Sequence, residues 1–460
     1  MKSKIFLFIV SFVSVMCAQT NSYNNLTLES CIKIALEQNK QNAISRQHLQ
    51  ISKAQLKQAQ SAKLPQVDLT SSAFVNDENI TFVQPPMAIN MPPLNLGTMN
   101  LILPTVELPA QFFTLANNKS IQNELSITYP LYTGGKITAI NEQAKFGYEI
   151  AKNEATLTEK EIVYNVKNTF YAVILSRNLE KISSDALQRF EATFKLTESM
   201  FNAGSEKVNK LDYLKNKMTL EGFRGMNASM STNYKSAISA LKFYMGLKQE
   251  EEISINDLVT DYNNEQIDKY LSNNTLLDSN VNMLKVNNAI KAFEHKVEEA
   301  KSDYYPSVAL FGNYRRWDNS YNYANFTKEN QNIFTLGVGL KWSLFNGYRT
   351  DGKVEEMEAE LQKIQAQRNY LQDGLTMQKT KLMNDLTEAT EKIKALKDAV
   401  LTATENRELN LKAYQNDMAP VADFIQAQLF ESIFTAQYEM ALYQRISTII
   451  KLEQLFGEFN

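Results

Sequence analysis

The feature that most constrains this chain is an internal repeat. Lys63-Leu64-Pro65-Gln66-Val67-Asp68-Leu69 resembles Tyr304-Tyr305-Pro306-Ser307-Val308-Ala309-Leu310, with the prolines 241 residues apart. Leu125 to Gly134 (LSITYPLYTG) resembles Val338 to Gly347 (VGLKWSLFNG) at an offset of 213. Asp212-Tyr213-Leu214 resembles Asp423-Phe424-Ile425, and Met245-Gly246 resembles Phe456-Gly457, both at an offset of 211. Matches in one order define a twofold repeat, and a repeat sets the architecture before any local reading does. The falling offset leaves 28 extra residues in the first half between Pro65 and Leu131, and two more near 204–210. Both fall in predicted loops, where insertions are tolerated.

Each half predicts the same order of elements. A helix (about 41–62; about 281–303) leads to a strand, a loop and a second strand. A very long helix follows (about 136–202; about 350–415), then a short turn and a helix of nearly 40 residues (about 209–246; about 420–457). Leu28 to Glu37 predicts a short leading helix, with a partner near Thr275 to Met283. The chain therefore divides into a leader (1–18), a first repeat (19–246), a polar Asn/Asp-rich connector (247–274) and a second repeat (275–460).

The second strands alternate with period two. Leu125, Ile127, Tyr129 and Leu131 share one face against Ser126, Thr128 and Pro130. In 334–344, Phe334, Leu336, Val338, Leu340, Trp342 and Leu344 oppose Thr335, Gly337, Gly339, Lys341 and Ser343. Two readings fit: a sheet with one face on a soluble core, or a membrane barrel with Tyr129 and Trp342 as interfacial aromatics. Four strands are too few to close a channel, and open edges in lipid expose unpaired amides. The barrel reading therefore requires several copies.

The long second-half helix carries a seam at Val354, Met357, Leu361, Ile364, Leu371, Leu375, Leu382, Leu386, Ala389, Ile393, Leu396 and Val400. Steps of three and four predict a supercoiled partner, over roughly 100 Å of helix at about 1.5 Å per residue. The shorter helices of each half sum to about the length of the long one. Placed end to end beside it, they make a two-helix stave.

Export is predicted by Lys2 and Lys4 followed by the apolar run Ile5 to Val15, which read as a secretory signal peptide. Cleavage after Ala18 is favoured over lipidation of Cys17, because Ser14 and Met16 fit a lipobox poorly. That cleavage leaves Cys31 as a lone thiol, so no intrachain disulfide is available. The formal net charge of -3 excludes an electrostatically driven nucleic-acid binder. His48 and His295 have no second ligand at metal spacing, and no catalytic motif is present, so no catalytic, cofactor or metal residues are expected and the chain is read as no enzyme. The mature chain has no apolar run long enough for a transmembrane helix.

Tyr129-Pro130-Leu131-Tyr132-Thr133-Gly134-Gly135 and Trp342-Ser343-Leu344-Phe345-Asn346-Gly347 resemble the strand-to-helix corners of the TolC-type outer-membrane efflux family. Leu64-Pro65 and Tyr305-Pro306 resemble its helix-to-strand corners. The resemblance implies a mainly α fold with a small β part, whose long antiparallel coiled-coil helices form a periplasmic α-barrel. Four strands per chain then contribute to a shared 12-stranded β-barrel in a homotrimer, with Leu125, Ile127, Tyr129, Leu336, Val338, Leu340 and Trp342 facing outer-membrane lipid. It implies a passive exit duct of a tripartite efflux or type I secretion system, working with a periplasmic adaptor protein and an inner-membrane pump.

The same resemblance puts the periplasmic gate at the turns 201–214 and 414–428. Asp423 aligns with an aspartate of the constriction ring and Tyr414 with a tyrosine that helps hold the tip closed. Gln426 replaces a second ring aspartate, and Ala419 replaces an arginine of the gate network. Asp212 is the first-half counterpart of Asp423 by the internal repeat. The Pro-rich insertion 76–118 reads as a surface loop, or as a loop folded over the barrel mouth or against lipid or a partner. The other function considered is a non-transporting coiled-coil structural or adhesion protein of the envelope.

Overall fold

A computed structural model describes residues 23–95, 97, 99–116, 118–206, 208–256, 280–319, 332–416 and 418–457. The leader 1–18, most of the connector, and the start of the 275–283 helix lie outside them. The chain forms two units: a helical one from Met1–Lys53, Gly147–Ile290 and Lys363–Asn460, and a strand-bearing one from Ala54–Phe146 and Lys291–Gln362.

The elements in chain order are β1 (Tyr23–Leu26), α1 (Leu28–Gln38), α2 (Lys40–Ser61), β2 (Gln66–Val75), β3 (Ile80–Gln84), β4 (Met87–Ile89), β5 (Leu94–Asn95), β6 (Asn100–Leu101), β7 (Val106–Leu108), β8 (Gln111–Ala116), β9 (Lys119–Tyr132), α3 (Lys136–Asn202) and α4 (Lys210–Met245). There follow β10 (Ile253–Ile255), α5 (Val281–Lys301), β11 (Ser307–Asn319), β12 (Asn332–Lys341), α6 (Arg349–Gln415) and α7 (Val421–Phe456). Each half thus runs helix, strand, strand, long helix, shorter helix. The connector is more than a loop: β10 pairs in parallel with β1, Tyr23 opposite Ile253 and Leu26 opposite Ile255.

In the helical unit the heptad pattern does the packing. Leu375, Leu382 and Leu386 of α6 are buried with Met283 of α5 and with Ile449, Leu452, Leu455 and Phe456 of α7. A second cluster joins Cys31 and Ala35 of α1 to Val166 and Phe170 of α3, Leu241 and Met245 of α4, and Ile450 of α7. Burial pushes the Cys31 thiol up to about 12, so it packs as a small apolar group. Inside the helix layers, Lys167 of α3 meets Glu453 of α7 at 2.9 Å, both side chains buried. Removing either partner would leave a buried charge uncompensated, so breaking this pair is costly whatever its net contribution to stability.

α4 ends at Gly246, whose φ of 79° is left-handed. A Cβ at this position meets Gln38 O at 2.6 Å and Asn39 Cα at 2.9 Å. The end of α1 therefore packs directly on this backbone, and Asn39 Nδ2 fastens the contact by donating to Tyr244 O at 2.7 Å.

In the strand-bearing unit four strands form an antiparallel sheet in the order β12-β11-β9-β2. β12 ends at Lys341, three residues before the predicted end. Beyond it Trp342 Nε1 donates to Tyr304 O at 3.0 Å, and the chain turns through Gly347 and Tyr348, both at positive φ.

The insertion 76–118 is a hairpin rather than a loop. β3 pairs with β8, β4 with β7 and β5 with β6, extending the β2–β9 ladder outward. Pro85, Pro86, Pro92, Pro93, Pro104 and Pro109 all fall between these rungs. Proline has no N–H for a ladder, so it breaks the hairpin into short segments without ending it.

Candidate functional site

The sheet presents two chemically different faces. Cross-strand partners point the same way in an antiparallel pair. Val67, Ile127, Gly312 and Leu336 therefore form one row across β2, β9, β11 and β12. Leu69, Leu125, Tyr314 and Phe334 form the next, and Tyr129, Leu310 and Val338 flank the first on its other side. Leu125, Ile127, Tyr129, Leu336, Val338 and Leu340 are all exposed on this face. Trp342 is exposed as well, but lies past the end of its strand.

The opposite face is polar. Arg315 pairs with Glu124 at 3.2 Å, and Asn313 Nδ2 donates to the same carboxylate at 3.3 Å. Asp68, Ser126, Thr128 and Thr335 lie on it too. Phe311 covers Gly337: a Cβ there meets the ring at 2.7 Å. The glycines in β12 thus make room for one large ring on the polar face.

The other candidate region lies where α3 turns into α4 and α6 into α7. Ala186 and Phe190 of α3, Leu220 and Phe223 of α4, and Val421 and Ile425 of α7 are buried together. Phe190 and Phe223 lie with ring centroids 4.4 Å apart. Tyr414, on the last turn of α6, stacks on Phe424 at 6.0 Å and donates its hydroxyl to Met200 Sδ at 3.6 Å. It therefore ties the end of α6 to the start of α7 and the end of α3 within one chain.

Asp423 and Gln426 are exposed and sit one turn apart on the same face of α7. Asp423 lies in the first turn of α7, where the free N–H groups favour a carboxylate. Asp212 is differently placed. Its N–H donates to Asn209 Oδ1 at 2.9 Å while its carboxylate accepts from Asn209 N at 3.4 Å. That reciprocal pair is a capping box that starts α4. Among the described residues, no hydrogen bond or ion pair joins Asp212 to Asp423. Ala419 and Pro420 line an open cavity of about 580 Å³ with Tyr414, Met200 and Leu196.

Sequence reasoning missed Glu431. This buried acid of α7 lies 2.9 Å from Arg407 Nε of α6 and 3.3 Å from Arg189 Nη2 of α3. The contact with Nε is ionic, without hydrogen-bond alignment. One carboxylate thus binds three helices just beyond the turns. The available signal was a lone acid among apolar residues between Phe424 and Phe434. Glu431→Gln removes the charge that both guanidinium groups face and is expected to weaken this clamp by about 3 kcal/mol, the lower end of the range for breaking a buried ion pair. Amide exchange in 186–200 and 421–431 then accelerates roughly tenfold or more. Unchanged exchange there would show that the clamp adds nothing.

Among the described residues, no helix is long and apolar enough to cross a membrane, and no group of metal-ligating side chains is assembled. The fold is similar to that of the outer membrane protein VceC from Vibrio cholerae, at 16% identity and a TM-score of 0.74 over 94% of this chain and 96% of that one. It is also similar to the CmeC outer membrane channel of Campylobacter jejuni (12% identity, TM-score 0.73, 99% and 94% covered). The MtrE outer membrane channel of Neisseria gonorrhoeae in its open state is a third such structure (13% identity, TM-score 0.68, 94% and 88% covered). No curated protein matches the sequence significantly. The sequence itself matches the family described as outer membrane efflux protein over residues 31–247 and 273–458. By that match the chain belongs to the outer membrane efflux protein family.

Proposed function

We propose that three copies of this chain close a 12-stranded barrel and that the trimer is the passive exit duct of a tripartite efflux or type I secretion system. The observation that carries the proposal is the four-stranded sheet with one exposed apolar face and two unpaired edges, β2 and β12. In lipid an unpaired strand edge costs several kcal/mol per amide. The edge β12 of one copy then pairs with the edge β2 of the next. Leu125, Ile127, Tyr129, Leu336, Val338 and Leu340 face lipid, Trp342 sits at the membrane surface, and the Glu124–Arg315 face lines the lumen.

In this reading the leader 1–18 is removed on export, and repeats 19–246 and 275–460 supply two strands each. The duct carries no catalytic group and draws its energy from a pump in the inner membrane through a periplasmic adaptor. Its closed end is built from the turns near Asp212 and Asp423. Asp423 supplies the acid of the constriction, with Gln426 a neutral second position. Tyr414 holds α6 against α7, and Asp212 fixes where α4 begins.

Cysteine pairs placed along β2 and β12 test the assembly. Edge pairing predicts covalent trimers on oxidation in membranes, for pairs that alternate along the strands. Cross-linking only within one chain, at every pair, would overturn it. For the gate, Asp423→Ala is expected to raise basal conductance and to weaken block by cations severalfold. Unaltered conductance and block would remove Asp423 from the constriction.

A further inference from the structure

The hairpin 80–116 is the part of the strand-bearing unit that the four-stranded sheet does not use. It follows the β2–β9 ladder, which runs on to Val75 opposite Lys119. Phe82 lies opposite Phe113, with ring centroids 6.5 Å apart, and the next pair, Val83 opposite Phe112, points to the other face. Both faces of the ribbon are therefore apolar, and all four side chains are exposed in the single chain. Further out, Met87 opposite Leu108, Ile89 opposite Val106 and Leu94 opposite Leu101 are exposed as well. A two-stranded ribbon alone in water is marginal at best. One with apolar side chains on both faces needs cover on both.

Lipid does not supply that cover. Beyond Leu69, Leu125, Tyr314 and Phe334, the next row on the apolar face of the sheet is Ser71, Asn123, Arg316 and Asn332. Ser71 Oγ donates to Asn123 Oδ1 at 2.7 Å. This polar row closes the apolar band, and the hairpin starts past it. The ribbon is not built for an anionic surface either, since no Lys or Arg occurs between Lys63 and Lys119. Lysine on an exposed strand is a usual guard against association, and here that guard is missing. Edge-to-edge pairing is obstructed, because Pro85 and Pro86 on one strand and Pro104 and Pro109 on the other remove N–H groups. The cover therefore comes from packing of side chains.

Twelve strands about 4.8 Å apart and tilted about 40° make a ring about 24 Å across. The hairpin runs from Ile80 to a turn at Gly97, whose φ is 77°, up to about 55 Å of extended chain. Three hairpins rooted on such a ring are within reach of one another. In a threefold cluster each has a neighbour on either side, which suits a ribbon that is apolar on both faces.

We propose that the hairpins 80–116 of three copies pack together over the outer mouth of the barrel, each burying one face against each neighbour. The proposal rests on the reading of the sheet as one third of a trimeric membrane barrel. It adds a second interface between copies, outside the lipid.

The test uses the purified full-length oligomer carrying Phe112→Cys or Ile102→Cys, both exposed positions in the single chain, and a short bismaleimide. Linked pairs of chains are expected from Phe112→Cys and Ile102→Cys, at a yield that dilution of the oligomer does not change. Wild type, whose Cys31 is buried, should give none. The double variant Phe82→Ser, Phe112→Ser should still assemble, while chymotrypsin cuts its hairpin at least tenfold faster than that of wild type. Labelled single chains without links would overturn the proposal and leave the hairpin to an outside partner. A yield that falls in proportion to dilution would overturn it in favour of contacts between separate oligomers, and equal cleavage of variant and wild type would overturn the burial. Failure of the barrel reading looks different: cysteine pairs along β2 and β12 would then not join chains either.

Discussion

Ile127→Arg should abolish accumulation of the assembled channel in the outer membrane. Ile127 lies in the row Val67–Ile127–Gly312–Leu336, and Leu336 is at the middle of the ten-residue strand β12. An arginine on the lipid face near mid-depth costs about 2–4 kcal/mol per copy, or about 6–12 for three. Position along the strand should grade the effect. Leu340 is next to the end of β12, so Leu340→Arg costs only about 0–1 kcal/mol per copy, as its guanidinium reaches the headgroups. Ser126→Arg, one residue from Ile127 but beside Asp68 and Asn313 on the polar face, should be tolerated. Heat-resistant oligomer in isolated outer membranes reads all three. Normal yield for Ile127→Arg together with loss for Ser126→Arg would mean that the faces are reversed.

Gly246→Ala should destabilise the helical unit far more than Gly204→Ala. Both glycines are left-handed, at φ 79° and 70°, so both substitutions bear about 1–2 kcal/mol of backbone strain. Around Gly204 a new Cβ meets nothing within 4 Å. At Gly246 it meets Gln38 O at 2.6 Å and Gln38 C at 2.7 Å, which are backbone atoms and cannot swing aside. Forcing α1 away adds about 1–3 kcal/mol of overpacking. It also opens the cluster of Cys31, Ala35, Leu241 and Met245. Thermal midpoints of the two variants give the difference directly, and the Cys31 thiol, buried in the native protein, reports the opening by its labelling rate. Equal midpoints would mean that α1 does not bear on Gly246.

What was legible in the sequence follows from the range of each signal. The seam of α6 is a local period, and Val354, Leu375, Leu382, Leu386, Ala389 and Leu396 are indeed buried. The two strand faces are equally local. The hairpin 76–118 was not legible, because its six prolines read as loop. Only the pairing shows them sitting in the gaps between rungs. Asp212 carried a readable cap signature, Asn209 three residues before an acid, which alignment with Asp423 concealed. The Glu431 clamp joins residues from three helices, 242 positions apart for Arg189, and no local pattern announces such a contact.

The account stands on a conduit that no single copy can form. Single-channel recording of the purified protein in planar bilayers tests this most directly, with wild type and Asp423→Ala side by side. The expected result is discrete conductance steps from the oligomer, small for the closed-tip wild type and larger for Asp423→Ala. A pure trimer that inserts into the bilayer and never conducts, in either form, would contradict it.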